Sequence, residues 1–277
     1  MRLHDETCCT LGEGPLWHPG RDQLFWFDIL SKRLHTRGQS WEFEHCVSAA
    51  GWVADDKLLM ASAVGLHLFD IDTGTSEDVC AMEADDSVTR SNDGRADPRG
   101  GFWIGTMGMN AEDGAGAIYR FHKGELRRLY PGISIPNAIC FAPDGRFACF
   151  ADTPSGQVMR VALDGEGWPD GEPEVFVDMN EAGLKPDGAV FDSDGNLWCA
   201  QFGAGRVSVY GTDGALKTFV GLPAAQTTCP AFGGEGRATL FVTSAAVGLS
   251  DALNPHHGRT FAVETTARGQ AEHQVRL

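Results

Sequence analysis

Four segments of the sequence align with one another, and they read Glu13-Gly-Pro-Leu-Trp17, Asn92-Asp-Gly-Arg-Ala96, Asn137-Ala-Ile-Cys-Phe141 and Asp187-Gly-Ala-Val-Phe191. At the sixth position after each first residue, the segments carry Pro19, Pro98, Pro143 and Ser193. A turn containing glycine and an apolar or aromatic stretch follow in every copy, and weaker copies lie at 49–60 and 228–242. Self-similarity at a spacing of about 40 to 50 residues indicates a repeat protein rather than a chain of unrelated elements.

The repeat predicts the fold class. Helix signals are nearly absent, and 35 glycines separate short apolar runs along the whole chain, which is typical of an all-β protein. About four strands in each repeat match the blade of a β-propeller. Counting strong and weak copies, we predict a six-bladed β-propeller with a central channel, formed by residues 1–277 as a single domain. We expect the residues before Glu13 to complete the sheet of the last blade.

Charge and composition exclude several classes of partner. The formal net charge is −16, so nucleic acids and anionic membrane surfaces would be repelled. No apolar run reaches the roughly 20 residues that span a bilayer. The first residues contain no apolar segment of the kind found in signal peptides. We therefore expect a cytoplasmic protein whose partner is a cation or a neutral small molecule.

The cysteines favour the same compartment. The chain has eight, and their spacing does not match a zinc site or a disulfide framework. Most lie far apart in apolar strand patterns, which favours buried thiols in a reducing environment.

The register of the repeat places four polar residues at equivalent positions. Glu13, Asn92, Asn137 and Asp187 each precede the first strand of their repeat. In a propeller the first strand of a blade lines the central channel, so these side chains should converge on one mouth of the channel. Oxygen donors of this kind suit a hard or borderline divalent cation. The sequence therefore predicts a cation site at this mouth, with positions left open for water and substrate.

Each of these residues also has a structural interpretation. Pro186-Asp187-Gly188 and Asn92-Asp93-Gly94 are turn sequences, and Asn137 follows a proline. Glu13 is harder to explain in this way, because glutamate is a poor turn residue. A shared register is not expected of turn residues, and it favours the cation site.

Two further features have uncertain roles. Arg90 lies two positions before Asn92, near the same mouth, where it could hold oxygens of a substrate or remain a surface residue. His256 and His257 suggest a metal pair, but adjacent residues on an extended segment point in opposite directions, so we expect a loop there.

The same segments resemble the SMP-30/gluconolactonase/LRE family, which includes regucalcin-like proteins and bacterial sugar lactonases. The resemblance extends from about residue 11 to about residue 245, and it rests on five motifs: Gly12-Glu-Gly-Pro-Leu-Trp17; Arg90-Ser-Asn-Asp-Gly-Arg95 with Phe102-Trp-Ile-Gly-Thr-Met107; Gly116-Ala-Ile-Tyr-Arg120; Pro136-Asn137 through Ala151-Asp152-Thr153; and Pro186-Asp-Gly188 through Asn196-Leu-Trp198. The segment from Ser250 to the end of the chain matches no motif of the family.

The resemblance implies a six-bladed propeller with one divalent cation (calcium, zinc, manganese or iron) in the channel. It implies that Glu13, Asn137 and Asp187 are the metal ligands and that Asp187 is also the catalytic acid and base. It further implies that Arg90 and Asn92 face the substrate.

We therefore expect a metal-dependent lactonase that opens the lactone of a pentose or hexose. Two alternatives remain: a propeller esterase or phosphotriesterase with the same metal, and a calcium-binding propeller without catalysis. The sequence leaves open the particular sugar, the native metal, the role of residues 250–277 and the choice between a monomer and a weak homo-oligomer.

Overall fold

The structure is a computed structural model that describes residues 1–249 and 254–277. It consists of 24 strands and two single-turn 3₁₀ helices, Thr153–Ser155 and Glu235–Arg237. The strands in chain order are β1 (Arg2–Asp5), β2 (Gly12–His18), β3 (Gln23–Asp28), β4 (Arg33–Thr36), β5 (Gln39–Glu42), β6 (Val47–Ala54), β7 (Lys57–Ser62), β8 (Gly65–Asp70), β9 (Ser76–Ala81), β10 (Thr89–Ala96), β11 (Phe102–Gly108), β12 (Gly116–His122), β13 (Glu125–Ile133), β14 (Pro136–Phe141), β15 (Phe147–Asp152), β16 (Gln157–Ala162), β17 (Glu174–Asp178), β18 (Pro186–Phe191), β19 (Leu197–Gln201), β20 (Arg206–Tyr210), β21 (Leu216–Gly221), β22 (Thr227–Gly233), β23 (Thr239–Ser244) and β24 (Thr260–Glu264).

These strands form six antiparallel sheets of four strands each, which confirms the six-bladed propeller. Blades 1 to 5 each use four consecutive strands, and the innermost strands are β2, β6, β10, β14 and β18. Blade 6 has the order β22-β23-β24-β1 from the inside outward, so the first strand of the chain pairs with the last. This pairing joins the two ends of the chain and closes the ring.

The hydrophobic core is divided among the interfaces between blades. The buried apolar side chains of the described residues form six clusters, and each cluster combines residues of two neighbouring blades. Aromatic pairs cross these interfaces: Trp103 of blade 3 meets Phe141 of blade 4, and Trp17 of blade 1 stacks on Phe241 of blade 6. Because a sheet buries its faces only against its neighbours, the complete ring is the stable unit.

Every innermost strand contains a β-bulge at the same level. The inner strand gains one residue over its partner within Glu13–Leu16, Ser91–Gly94, Asn137–Cys140, Pro186–Ala189 and Thr227–Pro230, and β6 has the same shift within Val47–Ala49. A bulge bends its strand and turns a side chain out of the regular alternation. The ring of bulges therefore directs one side chain from each blade toward the channel.

The C-terminal segment crosses the far end of the propeller. It follows β24 and contacts the ends of the inner strands away from Glu13: Gln270 donates to the carbonyl of Phe141, and the Trp52 indole donates to the carbonyl of Glu272. The amide of Arg276 binds the carbonyl of Gly100. One face of the ring is thus covered by the chain itself.

A buried ion pair fixes this segment to the channel wall. Arg95, near the end of β10, donates from Nη1 to Oε1 of Glu272 at 2.5 Å, and the two side chains are only 11% and 8% exposed. Trp52, which binds the carbonyl of Glu272, lies on the neighbouring blade. The pair therefore links the C-terminal segment to two blades.

Other sequence-based expectations concern the thiols and membrane spans. Six cysteines are buried and form no disulfide: Cys9, Cys46, Cys140, Cys149, Cys199 and Cys229. No helix among residues 1–249 and 254–277 is long and apolar enough to cross a membrane. Part of the segment whose role the sequence left open, 250–253, lies outside the described residues.

Glu272→Ala should lower the free energy of unfolding by about 3 kcal/mol, because it leaves the buried charge of Arg95 without a partner. Urea denaturation followed by tryptophan fluorescence measures the change. The matched control is Glu174→Ala, which breaks the exposed Arg160–Glu174 pair and should cost less than about 1 kcal/mol. Equal losses in the two variants would contradict an anchoring role for Glu272.

Candidate active site

Three inner strands present the predicted metal ligands at the same mouth of the channel. Glu13 is the second residue of β2, Asn137 of β14 and Asp187 of β18. All three are 5% exposed or less. The expectation that the ring residues precede their strands was wrong, because each of these three is the second residue of its strand and lies at the bulge. Asn92 is the fourth residue of β10.

The backbone around these ligands has an unusual conformation. Gly14 and Ala138, directly after Glu13 and Asn137, have φ values of 51° and 54°. A β-carbon on Gly14 would lie 2.2 Å from the carbonyl oxygen of Ser48, so only glycine fits there. Ala138 adopts the left-handed region without glycine's freedom, which stores strain of a kind that clusters at functional sites.

The side chains of Glu13 and Asp187 are buried and close enough to interact with each other. Burial and the nearby carboxylate of Asp93 raise the pKa of Glu13 from its ordinary value of 4.5 to about 8. Burial and the charge of Glu13 raise the pKa of Asp187 well above its usual range. Two buried carboxylates that interact in this way repel each other unless a proton or a cation lies between them.

Asp93 is a third buried acid, and the sequence interpretation missed it. One of its oxygens, Oδ2, accepts the backbone amide of Ile139 at 2.7 Å. Burial raises the pKa of Asp93 to about 6, although that amide and the charge of Arg95 oppose the shift. The register contained a signal: the residues that follow the four ring positions are small in three blades (Gly14, Ala138 and Gly188) and a carboxylate in the fourth.

Arg90 and Asn92 are buried in the same mouth and bound to each other. Arg90 Nη1 donates to the Ser91 carbonyl and to Asn92 Oδ1, both at 2.9 Å. Asn92 Nδ2 donates to the Pro136 carbonyl at 3.0 Å and to Asn137 Oδ1 at 3.2 Å. Burial lowers the pKa of Arg90 below its usual value, while the carboxylate of Glu13 acts in the opposite direction. The arginine is therefore built into the wall of the site.

The donor set fits a divalent cation. The carboxyl groups of Glu13 and Asp187 and the amide oxygen of Asn137 are the oxygen ligands that hard cations prefer. A cation would relieve the repulsion between the two carboxylates. No cluster of three histidine, cysteine, aspartate or glutamate side chains arranged for a metal is found among residues 1–249 and 254–277. The predicted site depends for this reason on the amide of Asn137 as its third ligand.

His256 and His257 lie in a turn, as expected. The backbone amide of His256 donates to Oδ1 of Asn254, and the His256 ring packs on Phe261. The carbonyl of His257 accepts a hydrogen bond from the thiol of Cys8. The loop thus packs against blade 6 and the N-terminal segment.

Comparison with known proteins identifies the family. The sequence model of the SMP-30/Gluconolactonase/LRE-like region matches residues 11–246. A solved structure from Agrobacterium tumefaciens, described as regucalcin, a calcium-binding protein, is 42% identical with a TM-score of 0.97, and the match covers 100% of this chain and 97% of that one.

Two curated relatives have names that refer to lactones. An L-arabinolactonase of Azospirillum brasilense is 36% identical over 291 residues, covering 96% of this chain and 92% of the relative. A pentonolactonase of Haloferax volcanii is 33% identical over 280 residues, covering 96% of this chain and 95% of the relative.

Without a bound cation, the protein should lose stability as the pH rises from about 4.5 to about 8. In this range folded Glu13, with its pKa raised to about 8, keeps a proton that the unfolded chain has released, so higher pH favours unfolding. Urea denaturation at pH 5, 6.5 and 8 in the presence of a chelator measures this slope. In Glu13→Gln the slope should be shallower.

A divalent cation replaces the retained proton, so its addition should reduce the difference between the wild-type and Glu13→Gln slopes. The comparison with the variant separates this effect from the general influence of the acidic surface. Identical slopes for the two proteins in chelator would contradict a raised pKa for Glu13.

Proposed function

The chain belongs to the SMP-30/Gluconolactonase/LRE-like family, and on this premise we propose that it hydrolyses a sugar lactone with the help of one divalent cation. The substrate class is the aldonolactone of a pentose or hexose, and the product is the aldonic acid. The observation that carries the proposal is the interaction between the buried carboxyl groups of Glu13 and Asp187, with Asn137 at the equivalent position of β14. The names of the lactonase relatives support the choice of substrate.

Glu13, Asn137 and Asp187 would hold the cation. Calcium, zinc, manganese and iron all remain candidates, since oxygen ligands discriminate loosely among them. The relative described as a calcium-binding protein supports a divalent ion. When bound, such an ion polarises the lactone carbonyl and stabilises the negative charge that develops on its oxygen.

Asp187 would move the proton. Its carboxylate takes a proton from the water molecule that attacks the lactone carbonyl, and the carboxylic acid then returns that proton to the ring oxygen as the ester bond breaks. Asp187 therefore accepts and returns the same proton, and no second acid or base is needed.

Arg90 and Asn92 would hold the hydroxyl oxygens of the sugar. Both N–H groups of Arg90 Nη1 are used by Ser91 and Asn92, so a substrate would meet the donors of Nη2. Both N–H groups of Asn92 Nδ2 are also used, which leaves a lone pair of Oδ1 for a substrate hydroxyl. This division favours a polyhydroxylated substrate over a plain ester.

We place the reaction in the cytoplasm, since the six buried and unbridged thiols suit a reducing compartment. With a net charge of −16, the chain is suited to a small neutral lactone rather than to a nucleic acid.

Asp187→Asn should reduce lactone turnover by about 10²- to 10⁴-fold, because the amide keeps an oxygen donor but cannot accept the proton. A coupled pH assay with a panel of pentono- and hexonolactones and added divalent cation measures the loss. The matched control is Asp144→Asn, an exposed residue in the turn after β14, which should retain wild-type turnover.

Near-normal lactone hydrolysis in Asp187→Asn would show that another group is the base. The same assay also separates the alternative functions. Faster turnover of an aryl ester or a phosphotriester than of every lactone would favour the esterase, and cation binding without turnover of any of these substrates would favour a calcium-binding protein.

A further inference from the structure

A chain of hydrogen bonds runs around the mouth through blades 3, 4 and 5, and Thr153 is its last side chain. Arg90 donates to Asn92, Asn92 to Asn137, Asn137 Nδ2 to Thr153 Oγ1 at 2.9 Å, and Thr153 Oγ1 to the Pro186 carbonyl at 2.8 Å. Every donor points the same way around the ring. The Pro186 carbonyl belongs to the peptide that carries Asp187.

The direction of this chain is fixed by its two ends. The guanidinium of Arg90 can only donate, and the Pro186 carbonyl can only accept. Turning the amide of Asn92 over would place its N–H groups against the guanidinium, and turning that of Asn137 over would leave two N–H groups facing each other. The amide oxygen of Asn137 therefore stays on the side of Asn92, with its nitrogen bound to Thr153.

The backbone of Thr153 is held in place by its neighbours, so the position of its hydroxyl group is fixed. It begins the 3₁₀ helix that follows β15, and its backbone amide binds the carbonyl of Ile135 at 3.0 Å. The preceding residue, Asp152, accepts hydrogen bonds from the amides of Ser134 and Ile135, which strengthens the same connection. The hydroxyl thus projects from a braced turn between two blades.

We propose that Thr153 is a positioning residue that orients Asn137 and Asp187 relative to each other for cation binding. The inference rests on the proposed function, in which these two side chains are ligands. Thr153 holds the nitrogen of one ligand and the carbonyl that precedes the other, so its hydroxyl sets both ligands without contacting the ion. Residues that hydrogen-bond to metal ligands and orient them typically contribute about 10- to 100-fold to metal affinity.

The test is a comparison of three substitutions at this position. Thr153→Val keeps the branched shape but removes the hydroxyl group. Thr153→Ala removes both the hydroxyl and the methyl group, and Thr153→Ser keeps the hydroxyl group. The dissociation constants of Mn²⁺ and Ca²⁺, measured by competition with a fluorescent chelator, are the readout. We expect Thr153→Val and Thr153→Ala to weaken binding about 10-fold or more, and the affinity of Thr153→Ser to stay within about threefold of wild type.

Thermal melting of the chelator-treated proteins shows whether each variant folds. If Thr153→Val does not fold, Thr153→Ala provides the comparison. Unchanged cation affinity in Thr153→Val and Thr153→Ala would overturn the positioning role. An equal loss of affinity in Thr153→Ser and Thr153→Val would also overturn it. If the wild-type protein binds neither ion, the proposed cation site and this inference both fail. If wild-type binds an ion and Asp187→Asn loses turnover, but Thr153→Val and Thr153→Ala bind normally, only the role of Thr153 is wrong.

Discussion

The burial of two interacting carboxyl groups is the constraint on which the rest of the site depends. Glu13 and Asp187 come from blades 1 and 5, which flank blade 6, and burial raises the pKa values of both. The carboxylate of Asp93 raises the pKa of Glu13 further, and the charge of Glu13 raises that of Asp187. Such a pair is tolerated only when a proton or a cation lies between its members. The raised pKa of buried Glu13 accounts for a predicted loss of stability at high pH, and the pair of buried acids accounts for the proposed affinity for a divalent ion.

The propeller supplies the rigidity that this arrangement requires. Each blade buries its apolar faces against two neighbours, and the first and last strands share one sheet. No single blade can move without opening two interfaces, so the side chains at the mouth keep their spacing. The C-terminal segment and the Arg95–Glu272 pair hold the opposite end of the channel.

The sequence predicted the fold well because a repeat turns local patterns into symmetric positions. Glu13, Asn137 and Asp187 share a register, and that register was enough to place them on equivalent inner strands. The bulges were not predicted, because one extra residue in a short strand does not produce a recognisable change in the alternation of apolar and polar side chains. Asp93 and Thr153 were missed for a related reason: one resembled a turn residue, and the other acts through hydrogen bonds between blades that only the folded ring brings together.

Anomalous diffraction from crystals soaked in Mn²⁺ tests the central claim most directly. One peak should lie among the side-chain oxygens of Glu13, Asn137 and Asp187, at distances of about 2.0 to 2.6 Å. That result would establish that the ring of bulges builds a cation site. A channel mouth with no peak at saturating Mn²⁺, or with these oxygens more than about 6 Å apart and so beyond the reach of one ion, would contradict the account.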